Sequence, residues 1–336
     1  MSGKNNILAV DIGASKTNLG LFPADESPST PIKEASLVSR DFASATDLLQ
    51  HFLNGCSDGI QSACIGVPGP VLDNQSVTTN LPWIINGTEL AQDLAIETIR
   101  LVNDLEAAAA SVPLLQERDL YQLNKGIRRE NGNRAVISPG TGLGEAFLCK
   151  NDLGNGFTSY PSEGGHCDFA PSNPLQLELL AYLQDEIGHV SFEQVCSGLG
   201  ISNIYNFLKV SESEREPEWL KELFNQEADP SRVIIEVAMD KERGKSYQHC
   251  RKTLEIFVSI LGAEAGNMAL KVMAYGGVYL GGGIPPRITE ILDSSNFLKT
   301  FLNKGRMSSL LADVPVHVIT NLKAPMLGAA SIAITL

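Results

Sequence analysis

The chain has little that would suit it to hold a zinc cluster, a nucleic-acid duplex or a bilayer. Its six cysteines (Cys56, Cys64, Cys149, Cys167, Cys196 and Cys250) include no C-x-x-C pair. That spacing argues against structural zinc and a disulfide framework and for reduced thiols. Basic residues are scarce: 26 Lys and Arg stand against 39 Asp and Glu, a formal net charge of −13, so the summed field repels nucleic acid and anionic membranes. No apolar run reaches the ~18 residues of a spanning helix. The first residues, MSGKNN, lack the basic and apolar pattern of a secretion signal, and a cytoplasmic location is expected. Two further signatures are missing. Gly244-Lys245-Ser246 resembles the end of a Walker loop, but Met239 stands where that motif needs glycine, and Gly140 to Gly144 lacks G-x-G-x-x-G spacing.

What is present is enough chain for about two domains: 336 residues, 43% of them hydrophobic. Asn6–Ile12 and Thr17–Phe22 read as a strand, tight turn and strand. A helix capped by Ser44 follows, then buried strands at 62–67 and 99–102, the second delivering Asn103 and Asp104 at its carboxyl end. Thr88 is expected to cap a helix running to Ile96. The pattern restarts with a strand at Arg134–Ile137, the turn Gly140–Gly144 and a strand through Leu148. A strand at 278–280 empties into Gly281-Gly282-Gly283, and another follows at 314–319. Residues 173–274 read as mostly helical, with Leu177, Leu179, Leu180 and Leu183 on one face. The restart predicts an α/β fold of two ribonuclease-H-like (actin-like ATPase) domains flanking a cleft. The small domain is expected to span 1–115 plus about 315–336, and the large one, with helical insertions, about 116–314.

Four segments combine small residues with a carboxylate or histidine. In VDIGASKTNLG (Val10 to Gly20), Asp11 enters a turn of Gly13, Ala14 and Ser15, which suits phosphate oxygens and a hydrated Mg²⁺ held by Asp11, or equally an ordinary hairpin. Gly140-Thr141-Gly142-Leu143-Gly144 has the same two readings. Asp104 is either the cap of a helix starting at Leu105 or a general base exposed at a strand end. Glu163-Gly164-Gly165-His166 is either a surface turn or a pair of groups converging on a polyol, whose hydroxyls both donate and accept. Glu193, two residues after Ser191, is readable as complementing a helix dipole.

Taken together these segments resemble the bacterial ATP-dependent glucokinase family, hexose kinases of the actin-like superfamily. The likeness covers about residues 6 to 334 and is strongest in SEGGHCDFAP (Ser162 to Pro171) and DEIGHVSFEQVCSGLG (Asp185 to Gly200). The resemblance implies that Asp104 is the catalytic base for the 6-hydroxyl of glucose, and that Asn103, Glu163, His166 and Glu193 bind the other hydroxyls. It also implies that Val10, Asp11, Ile12, Gly13, Ala14 and Ser15 contact ATP phosphates, that Gly140, Thr141 and Gly142 complete that grip, and that Gly282 borders the adenosine. ATP and Mg²⁺, a place in glycolysis and a homodimer come with it. Hexose choice would lie around Thr79 to Asn86. The chain departs from the family in reading Gly13-Ala14-Ser15 where Gly-Gly-Thr is usual, and in placing Ser138-Pro139 before the second turn. The zinc-binding cysteine cluster of the related repressor/open-reading-frame/kinase family is missing. A kinase for another hexose or amino sugar, and a non-catalytic sugar sensor, are the competing readings.

Overall fold

The computed structural model describes residues 6–13, 15–25, 27–55, 59–78, 81–151, 156–212, 215–294 and 296–336. Ala14, Cys56, Thr79 and Asn80 lie outside the described residues, so the expectations placed on Ala14 and on the Thr79–Asn80 segment have no structural counterpart here. The chain divides into two compact units, one of residues 1–119, 146–161 and 321–336, the other of residues 120–145 and 162–320.

In the first unit, β1 (Asn6–Ile12), β2 (Lys16–Pro23) and β3 (Lys33–Val38) form an antiparallel meander. β4 (Ile60–Val67) pairs parallel to β1. A small ribbon of β5 (Gln75–Val77) and β6 (Ile84–Asn86) intervenes before β7 (Thr98–Asn103), which pairs parallel to β4. The sheet order is β3-β2-β1-β4-β7. Alternate residues of β1 feed two cores. Leu8, Val10 and Ile12 join Leu48, Leu49 and Phe52 of helix α1 (Ala45–Leu53), while Ile7 and Ala9 join Met326, Ala329 and Ala330 of the C-terminal helix Ala324–Ala333. A sheet covered on both faces needs apolar residues at both phases of the pleat, which is why β1 reads as a nearly continuous hydrophobic run. The C-terminal helix comes so near α3 (Asp104–Ser111) that a Cβ on Gly328 would lie 1.7 Å from the Ala107 carbonyl oxygen. Its small residues are what the close packing requires.

The second sheet has the order β11-β10-β9-β12-β13-β8, from β8 (Leu120–Asn124), β9 (Arg134–Pro139), β10 (Leu143–Lys150), β11 (Phe157–Ser162), β12 (Gly277–Leu280) and β13 (Val316–Ile319). β9, β12 and β13 are mutually parallel. Its first five strands repeat the order of the first sheet, three consecutive strands in reverse and then two more, so the restart in the sequence is a restart of the topology.

Three local expectations need correcting. Helix α2 (Gly87–Asp93) is capped by Asn86, whose Oδ1 accepts from the N–H groups of Thr88 and Glu89 (2.9 and 3.3 Å), and it ends before Ile96. On α4 (Pro174–Ile187), Leu179 and Leu183 are buried but Leu177 is 58% exposed, so it leaves the apolar face. The helix His249–Lys271 is long and apolar enough to cross a membrane by length and composition, contrary to the expectation that no segment is. Most of it is buried inside the protein, as a core helix would be.

Candidate active site

In the first unit Asp11 and Asn103 sit at one end of the sheet. Register pairs Asp11 with Gly66 and Gly66 with Val102, so Asp11 and Asn103 stand at the carboxyl ends of parallel strands, where ligands collect in open α/β sheets. Gly66 makes room: a Cβ there would lie 3.4 Å from that of Ala107 and 3.7 Å from the Asp104 Cα. The capping question resolves in favour of Asn103. Its Oδ1 accepts from Leu105 N (2.9 Å) and its Nδ2 donates to the Gly69 carbonyl (3.1 Å). Asp104 is the first helical residue, its Oδ1 also accepting from Leu105 N at 2.8 Å, and the positive end of α3 faces a negative side chain.

The first glycine turn is a closed hairpin. Gly13 N donates to Lys16 O (3.0 Å), and a Cβ on Gly13 would lie 2.7 Å from that oxygen. The Gly13 N–H thus closes the turn on itself. Ser39 braces it, Oγ donating to Gly13 O (2.8 Å) and N to Ser15 O (3.2 Å). Val10 and Ile12 put their side chains in the core, so only their main chain is available to a nucleotide. Asp11 is half-buried and accepts from Asn18 Nδ2 (3.3 Å); burial pushes its carboxyl above the usual range. Among the described residues no group of three His, Cys, Asp or Glu could hold a metal. A magnesium ion therefore fits here only if phosphate oxygens and water supply most of its ligands, with Asp11 as the one carboxylate.

In the second unit the structure brings Glu163, His166 and Glu193 together. His166 Nε2 lies 3.9 Å from Glu163 Oε2, and its Nδ1 lies 3.9 Å from Glu193 Oε1, both too long for direct hydrogen bonds. The two stretches that carry them are laced by main-chain bonds, Phe169 N to Val190 O, Phe192 N to Cys167 O and Glu193 N to Gly165 O, each 2.9 Å. The His189 ring and Asp168 add a side-chain bond of 2.9 Å. Glu193 belongs to no helix; α5 (Gly198–Ser211) starts later, under the cap Ser197, so the dipole reading is overturned. Its Oε2 instead accepts from Leu143 N at 2.8 Å, inside the second glycine turn.

That turn is tight for a reason visible in its neighbours. A Cβ on Gly142 would lie 2.4 Å from Glu193 Oε2, while Gly140 N bonds Gly142 O and Gly198 N bonds Gly140 O, both at 2.8 Å. Thr141 is exposed at its tip. Gly282 has φ of +82°, and a Cβ there would meet Pro139 O at 2.5 Å, so the Gly281–Gly283 turn lies against the end of β9. The Gly164-Gly165 pair is explained likewise. Cβ atoms there would fall 2.0 Å from Glu145 Oε2 and 2.1 Å from Leu143 O, because the loop rests on the start of β10.

A family model described as Glucokinase matches residues 8–336. The chain belongs to the glucokinase family. The glucokinase of Nostoc punctiforme is 39% identical over 338 residues, covering 96% of this chain and 97% of that one. Among solved structures, a glucokinase from an Antarctic psychrotroph superposes with a TM-score of 0.83 at 30% identity, covering 99% of both chains. A ROK family glucokinase from Streptomyces griseus, in complex with glucose and AMPPNP, has a TM-score of 0.66 at 19% identity and covers 99% of this chain and 100% of its own, which shows the fold. The glucokinase fold thus bears out the expected two-domain α/β architecture.

Two residues of this glucokinase-family chain escaped the sequence reading. Ser39 carried no signal, since its role comes from β3 ending beside the first turn. Glu145 did carry one, the single carboxylate of strand β10, set among Leu143, Ala146, Phe147 and Leu148 and buried at 1% exposure.

Proposed function

We propose that the protein is an ATP-dependent glucokinase, transferring the γ-phosphate of ATP to the 6-hydroxyl of D-glucose to give glucose 6-phosphate and ADP. The observation that carries this reading is the double engagement of Glu193: one oxygen holds Leu143 N in a glycine turn suited to phosphate, the other faces His166. A carboxylate shared by a phosphate turn and a polyol loop is what a kinase of a small polyhydroxy acceptor needs. A sugar sensor has no use for the turn.

In this mechanism Asn103, Glu163, His166 and Glu193 orient the hexose through its hydroxyls. Asp104 accepts the proton of O6 as that oxygen attacks the γ-phosphorus, the bond to the bridging oxygen breaks, and ADP leaves with the electron pair. Positioning and charge neutralisation carry most of the rate in such transfers, with a base adding ~10²–10⁴-fold. The turns at Asp11–Ser15 and Gly140–Gly142 hold the phosphates and Gly282 borders the adenosine. Asp11 would hold a magnesium ion, which would supply positive charge against the phosphates. The family resemblance further supports a homodimer, readable as molar mass in solution, and a cytoplasmic role in glycolysis.

The test is ADP release with glucose, mannose, fructose and N-acetylglucosamine, for wild type and Asp104→Ala. Glucose-dependent turnover that falls by ~10² or more in the variant is expected. Faster turnover with another sugar would reassign the substrate, and glucose binding without turnover on any sugar would leave a sensor.

A further inference from the structure

The second unit contains a buried acid that the mechanism leaves unused. Glu145 is 1% exposed, and its Oε1 has no hydrogen-bond partner among the described residues. The other oxygen touches the sugar loop from below, since a Cβ on Gly164 would sit 2.0 Å from Oε2. Gly164 is held there by its N–H, which donates to Ser162 Oγ at 3.0 Å. We propose that Glu145 is a positioning residue: its uncharged carboxyl is the floor on which the Glu163–His166 loop rests, and its ionisation loosens the loop and weakens hexose binding. The inference rests on the kinase reading above and assigns that site a dependence on pH.

The surrounding charges explain why the neutral form belongs to the ordered loop. From the helix His249–Lys271, Glu264 presents a like charge to Glu145 and Lys271 an opposite one. Lys271 is already committed, 3.2 Å from Glu264 Oε1, and Asn267 Nδ2 bonds Glu264 Oε2 at 2.8 Å. Lys304 is spent on Asn267 Oδ1 (2.6 Å) and the Ala263 carbonyl (2.9 Å). Cys196, also in this neighbourhood, has its thiol held well above the usual range by burial and by these two carboxylates, and stays uncharged. On the loop side, Glu163 and His166 are exposed, and Glu193 is tied to Leu143. An ionised Glu145 would thus be a buried charge with no cation of its own, and a buried charge demands a partner or water. Gly164 lies against Oε2, so lifting the loop would open the carboxylate to water.

Burial, with Glu264 adding to it, pushes this carboxyl up to about 7 from an ordinary value of 4.5. The sign follows from the raised value. The folded chain keeps a proton that the unfolded chain loses at lower pH, so the stability attached to this group falls as pH rises from near 4.5 to about 7. Because the ordered loop favours the proton, glucose binding near neutrality takes a fraction of a proton up. Raising the pH through that region weakens it.

The experiment is the pH profile, from about 6 to about 8.5, of the glucose KM and of kcat at saturating ATP, for wild type and Glu145→Gln, which is isosteric and cannot ionise. The wild-type KM is expected to rise by about 5-fold or more across that range with a smaller change in kcat, while the variant keeps the low-pH wild-type KM within about 2-fold throughout. A variant whose KM climbs as steeply as the wild type's, or is raised at every pH, overturns the proposal. Should Glu145→Gln not fold, calorimetry of glucose binding to the wild type near pH 7, in two buffers of different ionisation enthalpy, decides. Proton uptake is expected, and its absence is fatal to the idea. Binding is read there without turnover, so an inactive protein that still takes up a proton with glucose would break the kinase reading and spare this one.

Discussion

The two glycine turns have similar composition but are built differently. The first, at Gly13, is closed by its own main chain and braced by a hydroxyl from the neighbouring strand end, Ser39. The second, at Gly140–Gly144, is held by the carboxylate of Glu193, fifty residues away from Leu143 in sequence, and that carboxylate also faces His166. A turn secured by local hydrogen bonds can be altered without disturbing anything else. One secured by a residue that we propose binds the sugar should transmit any change to that ligand. Nucleotide and sugar should therefore be separable at the first turn and coupled at the second.

The largest effect that would test this difference is expected from Glu193→Ala. Losing a charged acceptor costs about 1.5–3 kcal/mol per hydrogen bond, so the glucose KM should rise by about 10- to 100-fold, and the ATP KM should rise with it as Leu143 N loses its partner. Steady-state kinetics varying each substrate against the other would check it. An ATP KM that stays at the wild-type value would mean the shared carboxylate couples nothing.

Gly142→Ala approaches the same link from the other side. The new methyl would lie 2.4 Å from Glu193 Oε2. A side chain can move where a backbone cannot, so the carboxylate should be displaced rather than the turn broken. The variant should copy Glu193→Ala in direction with a smaller rise, about 10-fold in glucose KM, and the two substitutions combined should cost clearly less than the sum of the two alone, because both remove one interaction. Additive costs would place the glycine's importance in the turn itself.

How much of this was legible beforehand follows the same division. The hairpin and the strand ends that present Asp11, Asn103 and Asp104 could be read because each rests on neighbours a few residues apart, and the repeated strand order because the pattern of segments restarts near Arg134. The cap of α2 was misread because Asn86 and Thr88 are both good caps two positions apart, and local pattern does not choose between them. Glu193 was placed at the sugar only by family resemblance. Its partners, Leu143 and His166, come from separate stretches of chain, and the helix expected around it starts only at Gly198. Glu145 was overlooked although a single carboxylate inside an apolar strand is a visible anomaly, since nothing nearby in sequence announces that Gly164 will rest on it.

The smallest predicted effect belongs to the first turn and makes the comparison sharp. Ser39→Ala removes a hydroxyl that donates to Gly13 O at 2.8 Å and shares a buried hydrogen bond with Thr17 Oγ1 at 3.0 Å. Neutral hydrogen bonds contribute about 0.5–1.5 kcal/mol each, and orphaning the buried Thr17 hydroxyl adds to the loss, so thermal or denaturant unfolding should show a destabilisation of about 1–2 kcal/mol. Ser39 N still bonds Ser15 O, and Gly13 N still closes the hairpin on Lys16 O, so the turn keeps its shape and only its stiffness suffers. The ATP KM should therefore rise by no more than about 5-fold, the amount that ~1 kcal/mol of binding represents, while the glucose KM stays where it was. If the glucose KM rose in step with that of ATP, the first turn would be coupled to the sugar as closely as the second, and its local bracing by Ser39 would not be what isolates it.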